Sequence, residues 1–325
     1  MNTATSSMGS DLLRTGRRGW LGFSLGIAVL IAIYGLLNVA HAADQKQSEY
    51  ATPEQAVGAL IAALRTDNQR DLLRILGPDG KDLVSSGDAL ADRAARLRLL
   101  HAYDTAHQVQ TEGADHAELV VGAENWPWPI PVVKQGARWH FDTEAGAQKI
   151  IDRRIGRNEL NVIEVCRAYV EAQREYASKD RMGDGLKEYA TKFASSAGKH
   201  DGLYWEAAAN EEQSPLGPLV AQARAEGYAS GKDEVYKVPY HGYYFRILTR
   251  QGTHHPGGAK NYIVNGHMTG GFGLLAFPAK WGDSGIMTFM VDHHGVVFQK
   301  NLGPDTAKLA ARITKFDPDS SWTTP

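Results

Sequence analysis

Four segments with strand periodicity follow one another between Tyr240 and Gly303, and a long helical pattern, Asn158–Lys179, precedes them. That pairing constrains the fold more than any other feature of the chain. A meander with an apolar face must bury it, and a helix with an apolar stripe at helical spacing is the natural partner. In Gly242–Arg250, Tyr243, Phe245 and Ile247 share one face, while Tyr244 and Arg246 share the other. Phe272–Pro278 is apolar on both faces, which marks a central strand. Gly285–Asp292 and Val296–Asn301 are joined by Asp292-His293-His294-Gly295, a tight-turn sequence. Gly252–Gly271 is a glycine-rich connection containing the turn pair Asn265-Gly266, and Ser214–Gly227 reads as a short helix opened by Ser-Pro. The helix pattern starts at Asn158, whose side chain suits an N-cap, and the tail Asp317–Pro325 is expected to fray.

The preceding stretch, residues 49–157, switches period along its length. Thr52-Pro53-Glu54-Gln55 is a helix start, with Thr52 as cap and Gln55 able to reach back as in a capping box. Val57, Leu60, Ile61 and Leu64 then form an apolar face. A second helix carries Leu72, Leu73, Ile75 and Leu76 and stops at Gly77-Pro78. A third, Asp88 to His107, is expected to point Ala94, Leu97 and Leu100 or Tyr103 inward. Glu118–Gly122 reads as a strand, and Ile130–Lys134 and Arg138–Asp142 form a hairpin around Gln135-Gly136-Ala137. Trp126-Pro127-Trp128-Pro129-Ile130-Pro131 is no central strand, because alternate prolines remove ladder donors. It is read as an extended edge whose tryptophans either pack on the sheet or form a binding shelf.

The N-terminus speaks to compartment. Arg14, Arg17 and Arg18 precede an apolar run, Trp20–Val39, that ends at the small-x-small site Ala40-His41-Ala42. That is the layout of an export signal covering residues 1–42. Arg17-Arg18 also fits a twin-arginine signal, so Sec and twin-arginine routes both stand, and both end in the periplasm or outside the cell. Membrane anchoring is expected only if the signal is uncleaved. The chain has a net charge of −2, and loss of three arginines and one aspartate would make it more acidic. No nucleic acid is expected as a partner on that balance. Cys166, the one cysteine, falls among Val162, Ile163, Tyr169 and Val170 at helical spacing and reads as a buried structural thiol.

Helices followed by a hairpin closing on Trp139 resemble the small cone of NTF2-like domains of exported proteins. Trp126–Val133, Ile155-Gly156-Arg157-Asn158-Glu159-Leu160 and Asp201-Gly202-Leu203-Tyr204-Trp205 are followed in order by three further segments. These are Ser214-Pro215-Leu216-Gly217-Pro218-Leu219, Tyr240–Leu248 and Gly303-Pro304-Asp305-Thr306. Together they look like an uncharacterised bacterial exported family, catalogued as domain-of-unknown-function family 2950. That resemblance implies an envelope protein and no particular activity. A weaker resemblance joins the long helix, the glycine-rich loop and the final hairpin to the globular heads of minor pilins and pseudopilins. The chain lacks the prepilin processing site and the polymerising N-terminal helix of those proteins. The fold expected is therefore α+β: an NTF2-like part over residues 49–157, then a helix-plus-meander part over residues 158–316, then the tail 317–325.

Chemical motifs are sparse. Gly282-Asp283-Ser284-Gly285 matches the tetrapeptide around a trypsin-type serine, which needs a histidine base such as His267 or His241. Small polar residues are equally ordinary where a turn enters a strand. Asp180-Arg181-Met182-Gly183-Asp184-Gly185 resembles the start of a calcium loop, with Asp180 and Asp184 as weak metal candidates. Met182 at the third position and Thr191 at the twelfth exclude an EF-hand. His241, His254, His255, His267, His293 and His294 crowd the last third, but neighbours in extended chain point oppositely and both pairs read as solvated turn residues. The remaining surface is aromatic and cationic: Tyr244 and Arg246 on the outer face of the meander, with Trp205 and Trp281 in flanking loops. A second packed layer would bury them just as well.

These observations favour an exported envelope component that binds a protein or a surface polymer through the meander, without catalysis and with no cofactor. The alternative is a secreted hydrolase with its site in Gly252–Gly285, using Ser284 and His267.

Overall fold

The computed structural model describes residues 46–208, 210–228 and 238–325. The export-signal reading of residues 1–42 lies outside them. Among the described residues, seven α-helices and thirteen strands make an α+β architecture with antiparallel sheets, as the periodicities predict.

The first half begins with α1 (Pro53–Arg65), capped by Thr52 Oγ1, which accepts from Gln55 N at 3.2 Å. Gln55 reaches back one residue further than a capping box, accepting from Ala51 N. Asn68 caps α2 (Gln69–Leu76), and a 3-10 turn leads to the short α3 (Lys81–Val84). Asp88 caps α4 (Ala89–Thr105). The inward face of α4 differs from the expected one. Leu100 is buried as expected, but Leu97 is 54% exposed, and Asp92 and Arg96 are buried in its place. Two polar residues tolerate that position because each is paired: Asp92 accepts from Ser86 N and Oγ, and Arg96 donates to Asp67.

A sheet follows: β1 (His107–Glu112), β2 (His116–Val121), β3 (Trp126–Pro127), β4 (Val132–Gln135) and β5 (Arg138–Phe141). Its order is β1-β2-β4-β5, with β3 paired only to β2, so the tryptophan–proline stretch is an edge strand as expected. Helices α1, α2 and α4 cover this sheet around a core of Leu60, Leu72, Leu119, Ile130 and Phe141.

The long helix is the main correction. It does not start at Asn158; α5 runs from Thr143 to Tyr176, 34 residues, capped by Asp142. Ile150, Ile151 and Ile155 continue the apolar stripe backwards, and no proline interrupts it. Asn158 is therefore buried in mid-helix, donating to Ser284 O at 2.9 Å. The C-terminal part of α5 packs on a second core that includes Val162, Cys166, Tyr169 and Tyr176.

Beyond α6 (Gly217–Ala225) lies the meander: β6 (Tyr243–Leu248), β11 (Gly273–Pro278), β12 (Met287–Asp292) and β13 (Val297–Asn301), in the order β13-β12-β11-β6. Four two-residue strands, β7 to β10, form two small ladders within residues 250–268. Tyr243, Phe245, Ile247, Leu274 and Phe289 face α5. Leu248, Leu275 and Met290 face the other way, onto α7 (Thr306–Arg312), Phe316 and Trp322. The meander is thus covered on both faces, and its outer layer comes from the C-terminus. The tail is tied down where fraying was expected: Gln299 and Thr323 exchange backbone hydrogen bonds at 2.7 and 3.0 Å.

Candidate ligand-binding cavity

A cavity of about 780 Å3 opens beside the first core. Its floor is made by Leu60, Leu64, Leu72 and Leu76, the buried faces of α1 and α2. One wall is α4, through Ala94, Ala95 and Leu99; another is the turn from Val121 to Pro129; the third is the first half of α5. Prolines and close packing hold the second wall in place. Gly146 on α5 lets the Pro129–Ile130 backbone come so near that a Cβ there would lie 2.6 Å from Ile130 Cα. The tryptophans expected to act together are separated by this geometry. Trp128 packs edge-on against Phe141, while Trp126 stays 53% exposed at the rim with the Arg153 guanidinium 4.8 Å above its ring.

The rim is cationic. Arg98, Arg153 and Arg157 line it, and neither Arg98 nor Arg157 has a carboxylate within ion-pair distance among the described residues. Burial, and then the charge of Arg157, pull the Arg98 pKa below its ordinary value. Three carboxylates share the lining: Asp92, which accepts from Ser86, together with Glu124 and Glu226. Glu226 is engaged by His241 at 3.3 Å, and Glu124 is exposed. An apolar hollow with unpaired arginines at its lip is chemically matched to a molecule with an apolar body and an anionic head.

The residues singled out from sequence are placed elsewhere. Ser284 is fully buried, and its Oγ accepts from Lys280 N at 2.9 Å and donates to Lys280 O at 3.1 Å. The hydroxyl is locked inside its own turn. His241 faces Glu226 and the rings of Tyr228 and Tyr240. His267 sits beside Asp184 and Glu188 at 3.5 and 3.3 Å. No histidine is brought to the Ser284 hydroxyl among the described hydrogen bonds. Asp283 is held by Arg154 and Lys280, and Arg154 also donates to the carbonyls of Asp82 and Leu83. The Gly-Asp-Ser-Gly segment is therefore a joint between the two halves.

Nor do the four aromatic and cationic candidates form one surface. Arg246 donates to the Ala310 and Ile313 carbonyls at the end of α7. Tyr244 packs beside Phe277 on the same covered face. Trp205 is 7% exposed, on the opposite side of the sheet, stacked on His200 with its Nε1 donating to Glu212 O. Trp281 donates to Asn301. Arg246 and Tyr244 are covered by the layer that the C-terminus contributes, while Trp205 belongs to the core on the α5 side and Trp281 bonds to the end of β13.

Asp180 accepts from the backbone N–H groups of Met182, Gly183 and Gly185, which lower its pKa and organise the loop. Asp184 joins Glu188 and His267 at the surface. Cys166 is buried, and burial pushes its thiol up to about 12, consistent with a structural role. The cavity itself escaped sequence reasoning because its lining comes from many separate segments, from Leu60 to His241. The arginines of residues 153–157 were the available signal, since three of five residues there are basic.

Comparison with curated proteins and with solved structures finds no match. One family does match, described as a protein of unknown function (DUF2950), over residues 47–324, most of the chain. The chain belongs to the DUF2950 family.

Proposed function

We propose that the protein is an exported, non-catalytic binding protein whose seat is the arginine-rimmed cavity, and that its ligand is an anionic amphiphile with a single apolar chain. The observation that carries this reading is the combination of a hollow of about 780 Å3, floored by leucines, with Arg98 and Arg157 at its lip and no carboxylate paired to either among the described residues. Two like charges held near each other are unfavourable without a counter-charge, and a carboxylate or sulfonate head supplies one. Export is supported by the layout of residues 14–42. No described helix is long and apolar enough to cross a membrane. The locked hydroxyl of Ser284 argues against the hydrolase alternative.

Displacement of anilinonaphthalene sulfonate by dodecanoate, with dodecanol as the neutral control, tests the reading. Dodecanoate is expected to displace the dye at one equivalent and dodecanol to compete far less. Arg98→Ala with Arg157→Ala is expected to weaken dodecanoate by about tenfold to a hundredfold, the scale of charged hydrogen bonds lost. Ala94→Phe, which fills the hollow, is expected to abolish binding of dye and acid alike. Equal competition by alcohol and acid, or indifference to the arginine pair, would overturn the proposal. So would hydrolysis of a chromogenic ester that disappears on Ser284→Ala.

A further inference from the structure

The hairpin turn after β12 and the glycine-rich loop after β7 meet at one buried carboxylate. Asp292 has a side chain only 2% exposed. Its Oδ2 lies 2.8 Å from His255 Nε2, 2.8 Å from His294 Nδ1 and 3.4 Å from His293 Nδ1. These histidines were expected to be solvated turn residues, yet His255 is 8% exposed. They converge because Gly295, at φ 85°, closes the turn with its N–H on Asp292 O, while the loop folds back across Phe316.

The tautomers sharpen the picture. His255 Nδ1 lies 2.6 Å from Pro256 O, so that nitrogen carries a proton. A neutral His255 then turns the lone pair of Nε2 toward a carboxylate oxygen, which is repulsive. Either a second proton or a cation must stand between them. A carbonyl that fixes one ring nitrogen while the other faces a carboxylate is the arrangement that orients histidine as a metal ligand. A second observation points the same way. His293 Nδ1 is buried and has no hydrogen-bond partner, and the neighbouring Tyr262 hydroxyl is likewise unpartnered.

We propose that His255, Asp292 and His294 form a site for a divalent transition metal of the zinc class. His255 Nε2, His294 Nδ1 and an Asp292 carboxylate oxygen lie within 4.8 Å of one another. Two imidazoles and one carboxylate suit zinc, cobalt or nickel and are poor ligands for calcium or magnesium. His293 Nδ1, 3.4 Å from the same Asp292 oxygen, is available as a fourth donor. None of these residues lines the cavity. The role of the site is to clamp the glycine-rich loop to the sheet and, through Arg174, which donates to His293 O, to the end of α5.

The test uses the full chain, stripped with a chelator and titrated with Zn2+ against a chromophoric competitor, with Co2+ as the spectroscopic probe. One equivalent is expected to bind, with cobalt absorption typical of nitrogen and oxygen ligands and a raised melting temperature. His294 is 58% exposed, so His294→Ala should fold normally and lose at least about tenfold in affinity. His267→Ala, which removes the only histidine of the Asp184–Glu188–His267 group, should change nothing. No binding by the wild-type chain would overturn the proposal and leave a proton-bridged histidine–carboxylate network. Binding insensitive to His294→Ala, or lost on His267→Ala, would overturn it equally.

Discussion

Two glycines of α5 are expected to answer the same substitution with opposite signs. Gly156 is exposed in the helix interior, and a Cβ there meets nothing within 4 Å. Gly156→Ala should stabilise by about 0.5–1 kcal/mol, since alanine leaves less unfolded-state freedom to lose. Gly146 is enclosed by backbone. Its added Cβ would press on Pro129 and Ile130, so Gly146→Ala should cost about 1–3 kcal/mol. Midpoints of urea unfolding for the two variants check both signs in one experiment. At this scale the sequence was legible where a residue acts on its immediate neighbours. Thr52 and Asp88 cap as their positions imply. Asn158 and Ser284 were misread because each bonds across more than a hundred positions of sequence: the Asn158 amide meets the Ser284 carbonyl, and Gly242 packs against both. Three motifs that look unrelated in the chain are one contact in space.

At the scale of elements, strong periodicity was legible and weak periodicity was not. The meander and the first two helices follow from their apolar spacing alone. The strand β1 is almost wholly exposed, so no alternation marks it. The first half of α5 carries two glycines and a run of charges that hide its isoleucines. One of those charges is the strongest tie between elements. Arg154 on α5 is 14% exposed and engages Asp283, itself 3% exposed, together with the carbonyls of Asp82 and Leu83. Removing Arg154 leaves the buried Asp283 carboxylate with Lys280 alone and deprives the Asp82 and Leu83 carbonyls of their donor. Arg154→Ala is therefore expected to cost about 3–5 kcal/mol, read from the shift in the denaturant midpoint at unchanged slope. Burial holds the Asp283 pKa up even against Arg154 and Lys280, so the pair is a constraint on geometry more than a source of net stability.

For the whole molecule, the sequence suggests two parts meeting near residue 157, and the structure supplies two large cores with one helix running through both, besides a smaller cluster under the C-terminal helix. An α-helix without a break transmits position rigidly, and the surrounding ties reinforce it. Asp88 accepts from Tyr228 and from Gly242 N, Lys280 pairs with Asp82, and Arg154 holds Asp283. Every one of these contacts joins residues before 157 to residues after it. If they couple the cores by more than either core loses on opening alone, the chain unfolds as one unit. Differential scanning calorimetry of the wild-type chain is thus expected to give a single endotherm whose calorimetric and van't Hoff enthalpies agree. Arg154→Ala combined with Lys280→Ala removes both cations that hold Asp283, and should split that endotherm in two, with the meander half and its buried β-structure melting separately. Two transitions already present in the wild type would show that the halves are independent domains and that α5 is a mere linker between them.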